Sequence, residues 1–208
     1  MEDLIKFLES RHSVRKYLDK AIEDDKKQII TDLIEKINQE HGTKFAVFFD
    51  KLEAFKSILG HSIKGCKNII IFYHTDANEA GYYSAEVLLK LHELGLNSCY
   101  VGLTYKKKIF LRDDVDIQCA LAFGYGANQG QPHTNHNINK LLTYEGDKPE
   151  KLDIVVKAAL SAPTAMNRQR FKIVVENNEI VPILTSKGPF AEFDFGIIRY
   201  YVDLAKKN

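Results

Sequence analysis

Two short stretches of this chain carry side chains that could hold a small molecule. In Arg11-His12-Ser13-Val14-Arg15, two guanidinium groups and a hydroxyl occupy alternate positions. If the backbone there is extended, alternate side chains project to one side, and the three suit a phosphate or another dense anion. The same residues also fit a solvated basic turn. In Ala162-Pro163-Thr164-Ala165-Met166-Asn167-Arg168-Gln169, a proline and small residues interrupt a helical pattern. Backbone groups and the amides of Asn167 and Gln169 are then free to hydrogen-bond a planar heterocycle; the plainer alternative is a turn that ends a helix.

Other reactive residue types point to less. Cys66, Cys99 and Cys119 are far apart and form no Cys-x-x-Cys pair, and the last two sit in apolar, strand-like runs, so buried reduced thiols are expected. Of the three, Cys66, flanked by Lys64 and Lys67, comes nearest to the cationic setting of a reactive thiolate. His133 and His136 form an isolated His-x-x-His with no cysteine or carboxylate near enough to complete a tetrahedral site, so no metal is expected. There is no Gly-x-Ser-x-Gly or paired-carboxylate motif, and Gly124-x-Gly126 followed by Gly130 misses the dinucleotide fingerprint by one residue.

Composition narrows the partners. The chain has 208 residues, 45% hydrophobic and 11% aromatic, enough to bury a core as a single domain over 1–208. Lys and Arg number 29 against 28 Asp and Glu, a net charge of +1. That balance offers no broad basic surface to nucleic acid or an anionic membrane, so a small-molecule partner is expected. Apolar runs such as 68–73 fall far short of the roughly 20 residues that span a bilayer. The acidic start, Glu2 and Asp3, is unlike a signal peptide, and a cytoplasmic protein is expected.

Helical spacing marks 1–9, 22–40 and 81–94, the last closed by Gly95; 149–160 and 195–206 read as later helices, and 52–63 as a further one. β-branched and aromatic residues mark strands at 45–49, 68–73, 98–101, 117–123, 171–175 and 180–184, with an Asn177-Asn178 turn between the last two. The polar stretch 127–139 reads as a surface loop or linker. The plan is α+β, with helices packed on a mostly antiparallel or mixed sheet. A weak internal echo runs through it: helix, then strand 45–50, then a glycine, Gly81, opening an aromatic-bearing helix; and again helix, strand 171–176, and Gly196 opening another. Pseudo-repeats over about 1–140 and 149–208, related by a pseudo-twofold, would account for it, as would coincidence between ordinary α/β segments.

Taken together, the two stretches resemble motifs of the FMN-dependent nitroreductase family: Arg-x-Ser-x-Arg or Lys followed by an aromatic, here Arg11 to Tyr17, and Pro-Ser-x-x-Asn-x-Gln, here Pro163-Thr164-x-x-Asn167-x-Gln169. The run from Glu93 to Gly102 and the strand end Ala122-Phe123-Gly124-Tyr125 are similar to two further landmarks. The resemblance departs in order, the proline motif lying about 150 residues after the arginine motif, as in a divergent branch of the family. It departs also in the lack of basic residues after Gly124-Tyr125, where His133, His136 and Lys140 are the nearest candidates to grip a phosphate.

The resemblance implies a nitroreductase-like α+β fold and one FMN held by Arg11, His12, Ser13, Arg15, Pro163, Thr164, Ala165, Asn167 and Gln169. Arg11 and Ser13 would take the phosphate and ribityl chain, and Arg15, the implied catalytic residue, the N1 and C2 oxygen edge of the ring. Thr164 and Asn167 would face the pyrimidine side, and Gln169 would orient the loop. It implies an oxidoreductase that uses NAD(P)H to reduce nitroaromatics, quinones or similar electron-poor molecules in a ping-pong cycle. The alternative is a flavin-binding or flavin-sequestering protein without turnover. Because family dimers share FMN between subunits, each part of this chain would carry one of the complementary motifs. That implies a monomer with a pseudo-dimeric site, or a homodimer.

Overall fold

The computed structural model describes residues 2–55, 63–135, 137–145, 148–177 and 179–208. Two units are woven from interleaved segments of the chain. One comprises Arg11–Asp76 and Glu86–Gln131; the other comprises Met1–Ser10, Ala77–Ala85 and Pro132–Asn208.

The first unit is built on an antiparallel sheet of β1 (Ala46–Phe48), β2 (Asn68–Tyr73), β3 (Asn97–Val101) and β4 (Ile117–Gly124), in the order β1-β2-β4-β3. The central strands β2 and β4 are buried along their length, apart from Gln118, which is why they read as continuous apolar runs without alternation. Helix α2 (Asp24–His41) packs beside β1 and buries Ile30, Ile34 and Ile37, one residue per turn of a single stripe. It stops at Gly42, whose left-handed φ of 65° lets its N–H reach Asn38 O at 3.0 Å. A helix is expected over 52–63, but residues 52–55 do not begin an α-helix. Leu52–Ala54 is a single 3₁₀ turn, and Phe55 pairs antiparallel with Tyr105 while Lys106 N–H bonds Ala54 O at 2.7 Å. Pairing with a segment distant in sequence has overridden local propensity there; residues 56–62 of the expected helix lie outside the described residues.

The second unit carries a mixed sheet in the order β5-β6-β7: β5 (Leu142–Thr143) runs parallel to β6 (Phe171–Glu176), which pairs antiparallel with β7 (Glu179–Leu184). Glu176 pairs with Glu179 at the end of this hairpin and Asn177 is left-handed, with φ of 49°; Asn178 of the expected turn lies outside the described residues. The two-residue β5 and the short α4 (Ile138–Leu141) before it lie where the sequence shows a polar linker giving way to two leucines. Helix α1 (Glu2–Ser10) packs on α5 (Leu152–Ser161), α5 packs on α6 (Ala191–Lys207), and α6 packs on β7. α5 is buried nearly all round, as befits the middle of these layers. Helices on antiparallel and mixed sheets make this an α+β fold, in agreement with the sequence pattern.

Helix α3 (Ala77–Glu93) contributes its first half, to Ala85, to this second unit. Gly81 and Gly196 are expected to open their helices, yet each lies inside one, because α3 begins at Ala77 and α6 at Ala191. Their role is close approach. A Cβ on Gly81 would stand 1.9 Å from Phe193 O, and a Cβ on Gly196 would stand 1.9 Å from Asn78 O. Each glycine thus meets the carbonyl three residues before the other, the reciprocity that a local twofold imposes on two crossing helices. Tyr82 closes the contact on one flank, donating to Asp203 Oδ2 at 3.1 Å and meeting the Tyr200 ring edge-on at 5.2 Å.

Gly81→Ala and Gly196→Ala are each expected to destabilise the protein by about 3 kcal/mol or more, since backbone rather than a movable side chain blocks the methyl group. Urea denaturation midpoints would check this. The double variant should lose less than the sum, because one separation of the helices relieves both clashes.

Candidate functional site

Arg11 to Tyr17 is extended and attached to a sheet edge within its unit. Ser13 pairs in parallel with Ser98 of β3, where Val14 N–H bonds Ser98 O at 3.0 Å, and Tyr17 N–H bonds Lys64 O at 2.9 Å. Val14 and Tyr17 anchor the segment in the core, and the Tyr17 hydroxyl donates to Ala122 O at 3.2 Å. The basic side chains diverge in environment. Arg15 is exposed, while Arg11 is only 5% exposed and its Nε finds no hydrogen-bond acceptor among the described residues. No carboxylate among the described residues pairs with it. A buried cation without a partner is costly, and an anion delivered to it would relieve that cost.

Around these arginines the polar groups are ordered. The Cys99 thiol donates to Tyr100 O at 3.4 Å, and burial pushes its pKa up against the opposing pull of Arg15, Ser13 and Arg11. His12 Nδ1 donates to Gln129 O at 3.2 Å, so its other ring nitrogen is left as an acceptor when the ring is neutral. Gly130, with φ of 74°, lies so close to His12 that a Cβ would stand 2.8 Å from the histidine's own. Asn97 spans this loop, donating to Gln129 Oε1 at 3.0 Å and accepting from Gly126 N–H at 2.9 Å. All three cysteines are free and buried, and burial pushes the Cys66 thiol up to about 12, which removes it as a thiolate nucleophile at neutral pH.

The proline motif lies in the other unit, after α5. Pro163, Thr164, Ala165 and Asn167 are half-buried, Met166 is 75% exposed and Gln169 is 2% exposed. Met166, Asn167 and Gln169 have φ of 52°, 53° and 44°. Left-handed backbone costs a residue with a Cβ roughly 1–3 kcal/mol and persists only where surrounding contacts enforce it. Those contacts are present. Thr164 Oγ1 accepts Gln169 N–H at 3.1 Å, Asn167 Nδ2 donates to Thr134 O at 2.5 Å, and Gln169 Nε2 donates to Asn135 Oδ1 at 3.1 Å. Asp194 Oδ2 accepts Ala165 N–H at 2.8 Å.

The sequence pattern contains the motif residues but misses Thr134, Asn135 and Asp194. The first two belong to a stretch whose polarity reads as linker, and an aspartate in the first turn of a helix reads as a partner for the helix dipole. Of the phosphate candidates, His133 uses Nε2 to donate to Leu160 O at 2.8 Å, Lys140 is exposed, and His136 lies outside the described residues. Among the described residues no cluster of three His, Cys, Asp or Glu could hold a metal ion, and no helix is long and apolar enough to cross a membrane.

With this arrangement in view, comparison with known proteins places the chain. Residues 3–206 match the family model described as "Putative TM nitroreductase", and the chain belongs to that nitroreductase family. Its fold is similar to that of a "putative nitroreductase" from Thermotoga maritima, with 20% identity and a TM-score of 0.73 over 98% of this chain and 83% of the other. A "putative nitroreductase in complex with FMN" from Desulfovibrio desulfuricans is 21% identical, with a TM-score of 0.54 over 70% of this chain and 98% of its own. An "FMN-dependent Nitroreductase" from Clostridium difficile is 20% identical, with a TM-score of 0.50 over 62% and 91%. The α+β fold is therefore nitroreductase-like. No curated protein matches the chain.

Asp194 adds a pH dependence. Burial pushes its carboxyl up to about 7, against the opposing pull of the Ala165 N–H, Arg170 and Arg168. The folded state then keeps a proton that the unfolded chain releases near its ordinary value of 3.8, so stability falls as pH rises through that window and levels off above about 7. Lowering the pH from 8 to 6 is expected to return about 1.4 kcal/mol, or roughly 3–5 °C in Tm, through this group. Calorimetry of wild type and Asp194→Asn at both pH values should show that increment in the wild type and its loss in the variant.

Proposed function

We propose that this protein is an FMN-dependent oxidoreductase that uses NAD(P)H to reduce small electron-poor molecules such as nitroaromatics or quinones. The observation that carries the reading is Arg11: a buried guanidinium with no anionic partner among the described residues, in an ordered segment that also carries Ser13 and the exposed Arg15 at alternate positions. Such a group fits a phosphate better than it fits solvent or a purely structural role. Membership of the nitroreductase family supports the reading, as do the structural relatives described as FMN-dependent or bound to FMN.

Arg11 and Ser13 would hold the phosphate end of the cofactor, with His12 fixed by Gln129 alongside. Pro163, Thr164 and Ala165 would present backbone and hydroxyl to the ring's pyrimidine side. Asn167 and Gln169 serve by shaping that turn, since their amide nitrogens donate to Thr134 and Asn135. FMN, when bound, would supply the hydride acceptor at N5 that links NAD(P)H to the second substrate, the two using one face in turn. Arg15 would place a fixed positive charge where negative charge collects on reduction, which lowers the barrier to two-electron transfer. No protein acid or nucleophile is needed. One FMN per chain is the stoichiometry of this reading, whether the protein works as a monomer or in a homodimer, in the cytoplasm where NAD(P)H is supplied.

Purified protein reconstituted with FMN should carry close to one FMN per chain, and its absorbance should bleach on anaerobic addition of NADH or NADPH. A stoichiometry of two per chain contradicts the reading of one FMN per chain, and yellow protein that never bleaches marks a binding protein without turnover. Arg15→Ala is expected to keep the fold and slow reduction by roughly 10- to 100-fold. Arg11→Met should weaken FMN binding by a similar factor without lowering the Tm of the apoprotein, since it removes an unpaired buried charge. Fluorescence titration of FMN and thermal melts would read both.

A further inference from the structure

Behind the turn that carries the proline motif stands a carboxylate that neither motif contains. Asp194 is 9% exposed, one turn into α6, and its Oδ2 takes the Ala165 N–H at 2.8 Å. Three other hydrogen bonds, from Gln169 N–H to Thr164 and from Asn167 and Gln169 to Thr134 and Asn135, fasten the far end of the turn. The near end passes from an extended Thr164, φ −131° and ψ 152°, through Ala165 to the left-handed Met166; backbone bonds from Asn167 N–H to Thr164 O at 2.9 Å and from Arg168 N–H to Ala165 O at 3.2 Å close it locally, and Asp194 is the side chain that ties it to α6.

Asp194 is itself closely placed. Its N–H bonds Phe190 O at 2.8 Å, and it lies between Phe193 and Gly196, the two α6 residues pressed against α3. Arg170, whose guanidinium rests over Gly188 just ahead of α6, and Arg168 supply positive charge nearby. A buried carboxylate is an expensive way to satisfy one amide. Its oxygen can accept that amide whether or not the group carries charge, so what the position supplies is an acceptor of the right reach where strained backbone must keep one conformation.

We propose that Asp194 is the positioning residue of this turn: by accepting the Ala165 N–H it sets the left-handed conformations of Met166, Asn167 and Gln169 in which the turn receives FMN. The proposal rests on the FMN reading above. Asp194 acts through Ala165, so its contribution appears in cofactor affinity and in the protection of one amide.

The test compares wild type, Asp194→Ala, Asp194→Glu and Asp194→Asn by FMN fluorescence titration, and by backbone amide exchange of the apoproteins over residues 163–171. Asp194→Ala and Asp194→Glu, which remove or displace the acceptor, are expected to weaken FMN binding roughly tenfold or more and to speed exchange at Ala165. Exchange in β2 and β4 should stay unchanged. Asp194→Asn keeps an oxygen acceptor without the charge and should remain within about threefold of wild type. FMN affinity unchanged in both Ala and Glu variants, or equal loss in Asn and Ala, overturns the proposal. If wild type binds no FMN, the functional reading fails by itself, and unchanged Ala165 exchange in the variants would separately refute the role of Asp194.

Discussion

The crossing of α3 and α6 at Gly81 and Gly196 is the constraint on which the second unit's functional geometry depends. With backbone carbonyls 1.9 Å from where each Cβ would be, neither helix has room to rotate or slide. A shift of one residue turns an α-helix by about 100° and moves it 1.5 Å. Such a shift would carry Gly196 off Asn78 and Asp194 off Ala165 together. The turn of α6 that needs a glycine for contact is the turn that delivers the carboxylate, so packing and polar positioning are set by one contact.

The two candidate stretches handle buried charge in opposite ways. Asp194 is matched internally: its acceptor oxygen meets a backbone amide, and its raised pKa records what burial costs. Arg11 is left unmatched: it is as deeply buried, yet its Nε has no acceptor among the described residues. A group matched from within serves architecture, whereas a group left open at a comparable cost points to a ligand.

Much of the architecture was legible in the residue pattern. The run 68–73 is β2, and the spacing of Ile30, Ile34 and Ile37 is the buried stripe of α2. The motif residues stood out because their chemistry is local. What escaped depends on partners distant in sequence. β5 is two residues long and exists only by pairing with β6, and α3 starts four residues before its glycine because that glycine answers to Phe193 rather than to its own helix. Thr134 and Asn135 resemble any polar linker until Asn167 and Gln169 are seen to donate to them. A left-handed methionine, Met166, has no sequence signature at all, since nothing in the side chain favours that conformation.

The interleaving of segments bears on biosynthesis. β1 to β4 and α2 all precede Pro132, so their unit has every strand in hand while the ribosome is still adding the remainder. α1 fares differently: Ile5 and Leu8 emerge early but pack against α5, which begins at Leu152, and α5 in turn waits for α6. Until then that apolar face of the nascent chain has no native cover, a state in which exposed hydrophobic surface is prone to aggregate. The order of translation therefore makes the unit holding Pro163 to Gln169 the later one to close.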